Sequence, residues 1–400
     1  MNILLVDDNP IFRKTYRLDP WYYSSKGHSV TVICPKPIRI KRSLSKDPNV
    51  NFIFTYPFTT IKKSRDIFNK FLHIFFNIIR IRALIKNGNY DLIRAVGFIS
   101  AYSSLVARGN IDIPVVSNLT DFYSNSYKYL LLPFSSVAQK ILRMMEKKIV
   151  VNSNLLFVDT PTMRRYWTYW GLDEKKCVIL PNGYDGNMFH PNIDSSTIRD
   201  EYGIDETTKI LVYSGDISHM DGLDILIEAI KKITTFKVKL LILGGGPKKY
   251  LDDLFRKVKE NNLENKIIFV GWKPYESVPL FLAAADICLA PFRINLTSNS
   301  TECLKIVEYL AMHKNIISSK ADGLMELFGD TLNYVPPEDP QALADMIITV
   351  IQTPKNNKVK DNMDKIIKKL TWKNVWINEE KIFRIMLEKT INDYRIYDTF

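Results

Sequence analysis

The chain has 400 residues, of which 46% are hydrophobic and 24% charged, a globular composition long enough for two domains. Its four cysteines are scattered, without a Cys-x-x-Cys pair or a metal-ligand spacing, so the sequence argues against a metal site and for reduced thiols in the cytoplasm. No apolar run reaches the roughly 18 residues of a membrane-spanning helix, and the apolar start before Asp7 is too short for a signal peptide.

The net charge of +12 is unevenly distributed. Residues 1–190 contain 27 Lys and Arg against 13 Asp and Glu, whereas the rest of the chain is close to neutral. A cationic half predicts an anionic partner for that half, such as a membrane surface or a phosphorylated acceptor. Nucleic acid is the least favoured partner, because the basic residues match no recognised binding module.

Short β-rich apolar runs alternate with helical patterns twice along the chain, which is typical of two doubly wound parallel sheets in an α/β protein. The predicted strands of the first series are 2–6, 29–34, 51–56, 92–96, 115–118 and 155–158. Those of the second series are 210–213, 239–243, 267–270, 287–290 and 315–318.

Turn-rich sequence at 181–191 separates the two series. We therefore predict one domain at 1–191 and a second at 192–372. A polar–apolar helical pattern at 373–395 predicts a last helix that packs back on the first domain.

The stretch 61–86 mixes bulky apolar residues with seven cations and one acid. This composition is typical of an interfacial helix on an anionic leaflet, with phenylalanines toward lipid and basic residues near the headgroups. The residues expected to contact the membrane are Lys62, Lys63, Arg80 and Arg82. The alternative is an ordinary helix that covers the sheet and has solvated ends.

The segment 297–311 follows an apolar predicted strand and opens an amphipathic helix with a run of small hydroxyl residues. Such a helix start directs free backbone N–H groups and the positive end of the helix dipole at an anion. Lys305 and Glu308 are three residues apart and share a helix face. A cation for phosphate beside a carboxylate for sugar hydroxyls predicts a nucleotide-sugar pocket.

Nine short segments, in matching order and spacing, make the sequence resemble a retaining GT-B glycosyltransferase of family 4, the group 1 type. They are 27–33, 181–191, 213–215, 222–229, 241–247, 270–272, 285–291, 304–311 and 371–372. The resemblance implies two Rossmann-like domains that face a central cleft, with the donor mostly on the second and the acceptor on the first. It also implies transfer with retention, with no metal and no other cofactor.

The resemblance assigns Glu308 to the donor ribose, and Lys305 with the backbone near Leu304 to the diphosphate. Ser300 stands where the family has its first motif glutamate, and Glu302 is displaced from that position by two residues. A hydroxyl holds a sugar more weakly than a carboxylate does. Glu308 and Lys305 each have an ordinary alternative as a solvated side chain of the helix.

The loop that begins at Gly215 departs further from the family. Asp216 and Asp221 stand where many members carry Arg and Lys, so Arg293 and Lys305 are the cations that we expect at the diphosphate. A lone loop histidine such as His219 is usually only solvated.

Two more positions are expected to border the donor. Gly246 closes a glycine triplet after a predicted strand, where glycine permits close backbone approach or tight packing. Trp272 follows the next strand, where the family places the nucleotide base. A bare turn and ordinary packing are the alternatives.

In the first domain, Asp121 follows the predicted strand 115–118 where relatives often have a histidine. It is the candidate for orienting the acceptor hydroxyl or taking its proton. A helix N-cap is at least as good an interpretation. The usual glycine-rich loop is missing at 7–14, so no acceptor contact is assigned there.

We therefore expect a hexosyltransferase-type enzyme that moves a sugar from a nucleotide-diphosphate sugar to a hydroxyl of a glycan or lipid-linked acceptor. It would serve polysaccharide or glycolipid synthesis in the cytoplasm, at the inner face of the cell membrane. A nucleotide-sugar epimerase of the same fold would need no acceptor. A degenerate, non-catalytic GT-B scaffold subunit would bind no nucleotide.

Overall fold

The computed structural model describes residues 1–8, 19–35, 47–55, 66–126, 135–353, 357–389 and 393–399. The chain forms two compact units. The first contains Met1–Pro181 and Val375–Phe400, and the second contains Asn182–Asn374. The change from one unit to the other therefore falls at the start of the turn-rich segment 181–191.

The first unit is built on a seven-stranded parallel sheet in the order β3-β2-β1-β4-β5-β6-β7. Its strands are β1 Asn2–Asp7, β2 Ser29–Pro35, β3 Val50–Thr55, β4 Leu92–Val96, β5 Val115–Asn118, β6 Leu155–Val158 and β7 Cys177–Ile179. Its helices are α1 Asp19–Ser25, α2 Asp66–Asn87, α3 Phe98–Arg108, α4 Tyr123–Ser126, α5 Ser135–Asn152 and α6 Pro161–Tyr169. The order reverses between β1 and β4, which pair with Asp7 beside Val96.

The second unit has a six-stranded parallel sheet in the order β10-β9-β8-β11-β12-β13. Its strands are β8 Lys209–Ser214, β9 Val238–Leu243, β10 Ile267–Gly271, β11 Ile287–Ala290, β12 Asn315–Ser319 and β13 Asn333–Val335. Its helices are α7 Ser196–Glu201, α8 Leu223–Lys232, α9 Lys248–Glu260, α10 Val278–Ala284, α11 Leu296–Ser300, α12 Leu304–Ala311, α13 Asp322–Phe328, α14 Pro340–Gln352 and α15 Asn357–Lys369. The sheet order reverses between β8 and β11.

The inner strands of both sheets are almost completely buried, as parallel strands covered on both faces must be, whereas the edge strands β3, β10 and β13 are partly exposed. All eleven strands predicted from apolar runs are present, and the two doubly wound sheets are confirmed. The structure adds β7 and β13, three residues each, at the outer edges of the two sheets. Within the described part of the chain, no helix combines the length and the low polarity that crossing a bilayer requires.

The last helix, α16, spans Trp372–Glu388 and belongs to the first unit from Val375 onward. It ends before the predicted limit at 395, because Lys389 adopts a left-handed conformation with φ 53°. Its Glu379 is buried and forms an ion pair with Arg94 of β4. The hydroxyl of Tyr23 donates to the other oxygen of Glu379 at 2.5 Å. The buried Glu379 carboxylate, with an ion pair on one oxygen and a hydrogen bond on the other, thus holds α16 on the first unit.

We expect Glu379→Ala to destabilise the first unit by about 3–5 kcal/mol, because it leaves the Arg94 guanidinium buried without its partner. Amide hydrogen exchange in β4 measures this loss as a fall in protection of roughly a hundredfold or more. Glu388→Ala, at the exposed end of the same helix, is the control. Equal protection in the two variants would contradict the role given to the Arg94–Glu379 pair.

Candidate functional site

The reversal of strand order in the second sheet defines where a ligand is expected. Ligands of open parallel sheets bind beyond the carboxyl ends of the strands at such a reversal. Gly215 follows β8 here, and Phe292 follows β11 two residues after its last position. The first turn of α12 brings Lys305 to both of them.

Lys305 is the cation at this reversal. Its side chain passes so close to Gly215 that a Cβ added to the glycine would lie 3.0 Å from Lys305 Cε. The ammonium lies 4.3 Å from the ring centre of Tyr213 and 5.2 Å from that of Phe292. It also donates to the Tyr213 hydroxyl at 2.9 Å. Two aromatic rings and a glycine therefore fix its position.

Asp221 balances this ammonium. Its Oδ1 lies 3.3 Å from Lys305 Nζ, while its Oδ2 accepts from the backbone N–H and the hydroxyl of Ser218 at 3.0 and 2.6 Å. Burial alone lowers the pKa of Lys305, but the Cys303 thiolate that forms at high pH and the Asp221 carboxylate hold this pKa above its usual value. The ammonium is thus charged, and an acid faces it at the position where the resemblance places a second cation.

Helix α12 adds a positive dipole end to the same place. It begins at Leu304, and Cys303 at its N-cap position makes no side-chain cap hydrogen bond. Burial raises the pKa of the Cys303 thiol to about 11, so this side chain brings no negative charge to the helix start. The start of α12 and Lys305 together suit an anion.

Glu308 lies one turn further along the same face of α12. Its carboxyl is buried, and its Oε1 accepts a hydrogen bond from the hydroxyl of Tyr275 at 2.5 Å. Burial raises the pKa of Glu308 to about 7, against a smaller opposing effect of the Tyr275 bond. Tyr275 lies in a short turn after β10, and the sequence alone gave no reason to single it out.

Ser300, the last residue of α11, and Glu302, in the link to α12, are both buried. Oε2 of Glu302 accepts from the backbone N–H and the side-chain amide of Asn182, at 3.2 and 2.7 Å. Its Oε1 is buried without a hydrogen-bond partner. Burial raises the pKa of Glu302 to about 7. Glu302 therefore ties the first residue of the second unit to the start of α12, a pairing across 120 positions of sequence.

Arg293 is already engaged by carboxylates. Its two terminal nitrogens donate to both oxygens of Asp224 at 2.8 and 2.7 Å, and its Nε lies 3.2 Å from Glu338. The hydrogen bond to Asp224 raises the pKa of Arg293 further above its already high value. Arg293 also donates to the carbonyl of His219 at 2.6 Å, so it braces the loop 215–222.

The glycine triplet after β9 packs against the loop after β8. A Cβ at Gly244 would overlap the carbonyl oxygen of Gly215, and one at Gly246 would overlap that of Ile217. The N–H of Ile217 donates to the carbonyl of Gly245 at 2.9 Å. Close contact between two backbones accounts for glycine at 244 and 246.

Trp272 is 72% exposed and lies against this glycine triplet. A Cβ at Gly245 would overlap its indole nitrogen, so the ring rests on the backbone of the turn. An exposed aromatic ring beside two loops at the carboxyl ends of β9 and β10 has the form of a stacking surface.

The corresponding reversal in the first sheet is filled by the protein itself. Asp8 follows β1 and accepts from the backbone N–H groups of Ile99 and Ser100, at 2.9 and 2.6 Å, at the start of α3. A Cβ at Gly97 would overlap the Asp8 carboxylate, so glycine is required beside it. Burial raises the pKa of Asp8 to about 6. The helix start that could hold an anion in this unit holds Asp8.

Asp121 also belongs to the first unit, three residues after β5. Desolvation raises the pKa of its carboxyl to about 6, although the residue as a whole is exposed. The N–H of Ser124 in α4 bonds Glu146 at 2.8 Å, so Glu146 satisfies this helix start. Among the described residues, no group of three or more His, Cys, Asp or Glu side chains is arranged to hold a metal ion.

Two family models match the chain, one for each half. The model described as Glycosyltransferase Family 4 matches residues 21–187, and the model described as Glycosyl transferases group 1 matches residues 194–369. The lipopolysaccharide 1,2-N-acetylglucosaminetransferase of Salmonella typhimurium is 24% identical over 211 residues, 49% of this chain and 53% of that protein. The chain spans about half the length of the curated relatives it matches.

Solved structures show the same fold over nearly the whole chain. Sucrose-phosphate synthase from Thermosynechococcus elongatus has a TM-score of 0.79 at 19% identity, covering 98% of this chain and 100% of that one. Anabaena Alr3699/HepE in complex with UDP has a TM-score of 0.72 at 18% identity, covering 96% and 100%. Two Rossmann-like units with these neighbours make the fold GT-B.

We expect Asp221→Asn to tighten the binding of a nucleoside diphosphate about fivefold, the equivalent of about 1 kcal/mol. The change removes a negative charge beside the anion and frees Lys305, while the amide oxygen can still accept from Ser218. Calorimetric titration with UDP and with GDP at low ionic strength measures it. Asp216→Asn removes the same charge from an exposed position of the same loop and is the control. Unchanged affinity in Asp221→Asn would show that Lys305 does not face the diphosphate.

Proposed function

Because the chain belongs to the group 1 glycosyltransferases of the GT-B fold and resembles family 4, we propose that it transfers a sugar from a nucleotide-diphosphate sugar to a hydroxyl of a glycan or lipid-linked acceptor. One observation carries the proposal. A charged lysine and a buried carboxyl share one face of α12, directly at the strand-order reversal of the second sheet. This is the pairing that a diphosphate-linked sugar nucleotide requires.

The two residues of this pair hold different parts of the donor. Lys305 and the start of α12 face the diphosphate, and Glu308 accepts hydrogen bonds from the ribose hydroxyls. Gly215 and Gly246 border the phosphates, Ser300 borders the donor sugar, and Trp272 stacks on the base. The UDP in the similar Anabaena structure supports a nucleoside diphosphate as the ligand.

The reaction proceeds with retention and without a metal. The bond between the anomeric carbon and the diphosphate oxygen breaks, and the acceptor oxygen forms its bond on the same face of the sugar. The acceptor proton passes to the departing phosphate oxygen. Lys305 and the α12 dipole stabilise the charge that develops on the leaving diphosphate. Asp121 of the first unit orients the acceptor hydroxyl.

The acceptor belongs to cell-surface polysaccharide or glycolipid synthesis, and the enzyme works at the inner face of the cell membrane. The similar Salmonella protein is named for lipopolysaccharide, which supports a lipid-linked acceptor. Helix α2 supports contact with lipid, since its outer face exposes Phe71, Phe75, Phe76 and Ile79. Arg80 is exposed beside them, whereas Arg82 donates to the carbonyl of Ala107 at 3.2 Å. Lys62 and Lys63 lie outside the described residues.

A panel of nucleoside diphosphates and their sugars tests the function. We expect one nucleotide sugar to raise the melting temperature of the protein, since it binds only the folded state. Release of the nucleoside diphosphate should then require an acceptor extracted from membranes. Conversion of the nucleotide sugar without acceptor would show an epimerase, and no stabilisation by any nucleotide would show a scaffold subunit.

The pH dependence of donor affinity tests Glu308. Its pKa of about 7 means that the carboxyl is mostly neutral at pH 6 and mostly ionised at pH 8. Only the ionised form accepts from two hydroxyls, so affinity should fall about tenfold from pH 8 to pH 6. Calorimetric titration with the nucleotide sugar at both pH values measures this change.

Two variants serve as controls for that titration. Glu308→Gln should bind weakly and without pH dependence in this range. Glu302→Gln removes the other carboxyl with a pKa near 7, which raises the pKa of Glu308. It should keep the pH dependence and move it to lower pH. A profile that disappears in Glu302→Gln but persists in Glu308→Gln would reverse the assignment.

A further inference from the structure

Helix α5 carries an apolar stripe on its solvent side. Val137, Ile141, Met144 and Val151 are each between 43% and 68% exposed. On a helical wheel they fall within an arc of about 80°. Another side of α5 is also apolar and is buried, with Leu142, Met145 and Ile149, and α3 and α4 pack against this helix. A helix at the surface of a domain needs one apolar face to pack on the core, and α5 has a second apolar face that is exposed to solvent.

The exposed charged residues of α5 are all cations. Lys140, Arg143, Lys147 and Lys148 are exposed on the outer side of α5. The helix has one acid, Glu146, which is buried and bonded to the backbone of Ser124. The outer face of α5 therefore combines hydrocarbon with positive charge and no negative charge.

This face belongs to the same layer as the exposed face of α2. Helix α3 packs against both α2 and α5, so the three helices lie side by side on the first sheet. At 8–10 Å between neighbouring helix axes, the stripes of α2 and α5 are roughly 20 Å apart. Both show large apolar side chains and exposed cations to solvent.

We propose that α5 is a second membrane-docking helix, and that it binds an anionic bilayer together with α2. The inference deepens the proposed function, since it rests on a lipid-linked acceptor at the membrane. The apolar stripe enters the boundary between headgroups and acyl chains, and the row of Lys140, Arg143 and Lys147 meets the lipid phosphates.

The chemistry of the face selects a bilayer over other occupants. A second copy of the chain would bring four cations of α5 against four identical cations, which is repulsive. Nucleic acid offers phosphates but no hydrocarbon for Ile141 and Met144. An anionic leaflet presents phosphate above hydrocarbon at a depth of about 5–10 Å, in the arrangement that α5 shows.

Sedimentation of the full chain with vesicles tests the proposal. The vesicles contain phosphatidylglycerol and phosphatidylcholine, or phosphatidylcholine alone. We expect wild-type protein to bind the anionic vesicles at least tenfold more tightly. Lys140→Glu with Lys147→Glu should lower the partition coefficient at least tenfold, and Ile141→Ser with Met144→Ser should lower it severalfold.

Matched changes in the second unit provide the controls. Lys232→Glu with Lys259→Glu reverses the same charge at exposed positions, and Met325→Ser removes a methionine that is 37% exposed. Both should bind vesicles like wild type. Hydrogen exchange should show protection of α5 on anionic vesicles, and donor affinity should be equal in all variants.

Three results would overturn the proposal. The first is wild-type binding by the α5 variants while Phe75→Ser with Phe76→Ser in α2 detaches the protein, which would leave α2 as the docking helix. The second is equal binding of wild type to both kinds of vesicle. The third is loss of self-association, rather than of vesicle binding, in the α5 variants. Failure of the proposed function is distinct, since it would appear as absent donor binding whatever the vesicle results.

Discussion

The geometry around Lys305 depends on a backbone contact between the loops that follow β8 and β9. Gly244 and Gly246 lie where any Cβ would strike the carbonyls of Gly215 and Ile217. Gly215 in turn borders the side chain of Lys305, so the path of one loop sets the position of the ammonium. Because backbone atoms form this contact, the site is in place without help from surface side chains. The ammonium is therefore held in position by the fold before any ligand binds, as the proposed stabilisation of a leaving diphosphate would require.

The helix start at the strand-order reversal has a different neighbour in each of the two sheets. Each reverses its strand order beside a helix start that could hold an anion. In the first unit Asp8 fills that place with the protein's own carboxylate. In the second unit Lys305 lies at that place, with Asp221 as its ion-pair partner. One fold plan, used twice, therefore gives one unit that suits phosphate and one whose helix start is closed to it.

Most of the fold could be predicted from the sequence, because strands of four or more apolar residues between turns have a clear pattern. β7 and β13 escaped because three residues at a sheet edge leave no period to recognise. That Lys305 and Glu308 share one face of a helix could be predicted from their spacing of three residues. Their partners Asp221 and Tyr275 could not, because the sheet brings them together from 84 and 33 positions away. Asp221 stands where many members of the resembled family carry a cation, and the structure shows its carboxylate paired with the Lys305 ammonium.

Charge is also distributed differently in the two units. In the second unit cations are matched by acids, as Arg293 is by Asp224 and Lys305 by Asp221. On α5 the exposed charged residues are all cations, and the one acid of the helix, Glu146, is buried and bonded to the backbone of Ser124. Salt screens the attraction between these cations and an anionic surface beyond about 8 Å at physiological ionic strength. Charge alone would therefore guide the protein to such a surface but hold it there only weakly. Apolar side chains are not screened, and the stripe on α5 lies directly beside the lysines. In the proposed docking of α5 on a bilayer, attraction and retention would therefore come from different atoms of the same helix.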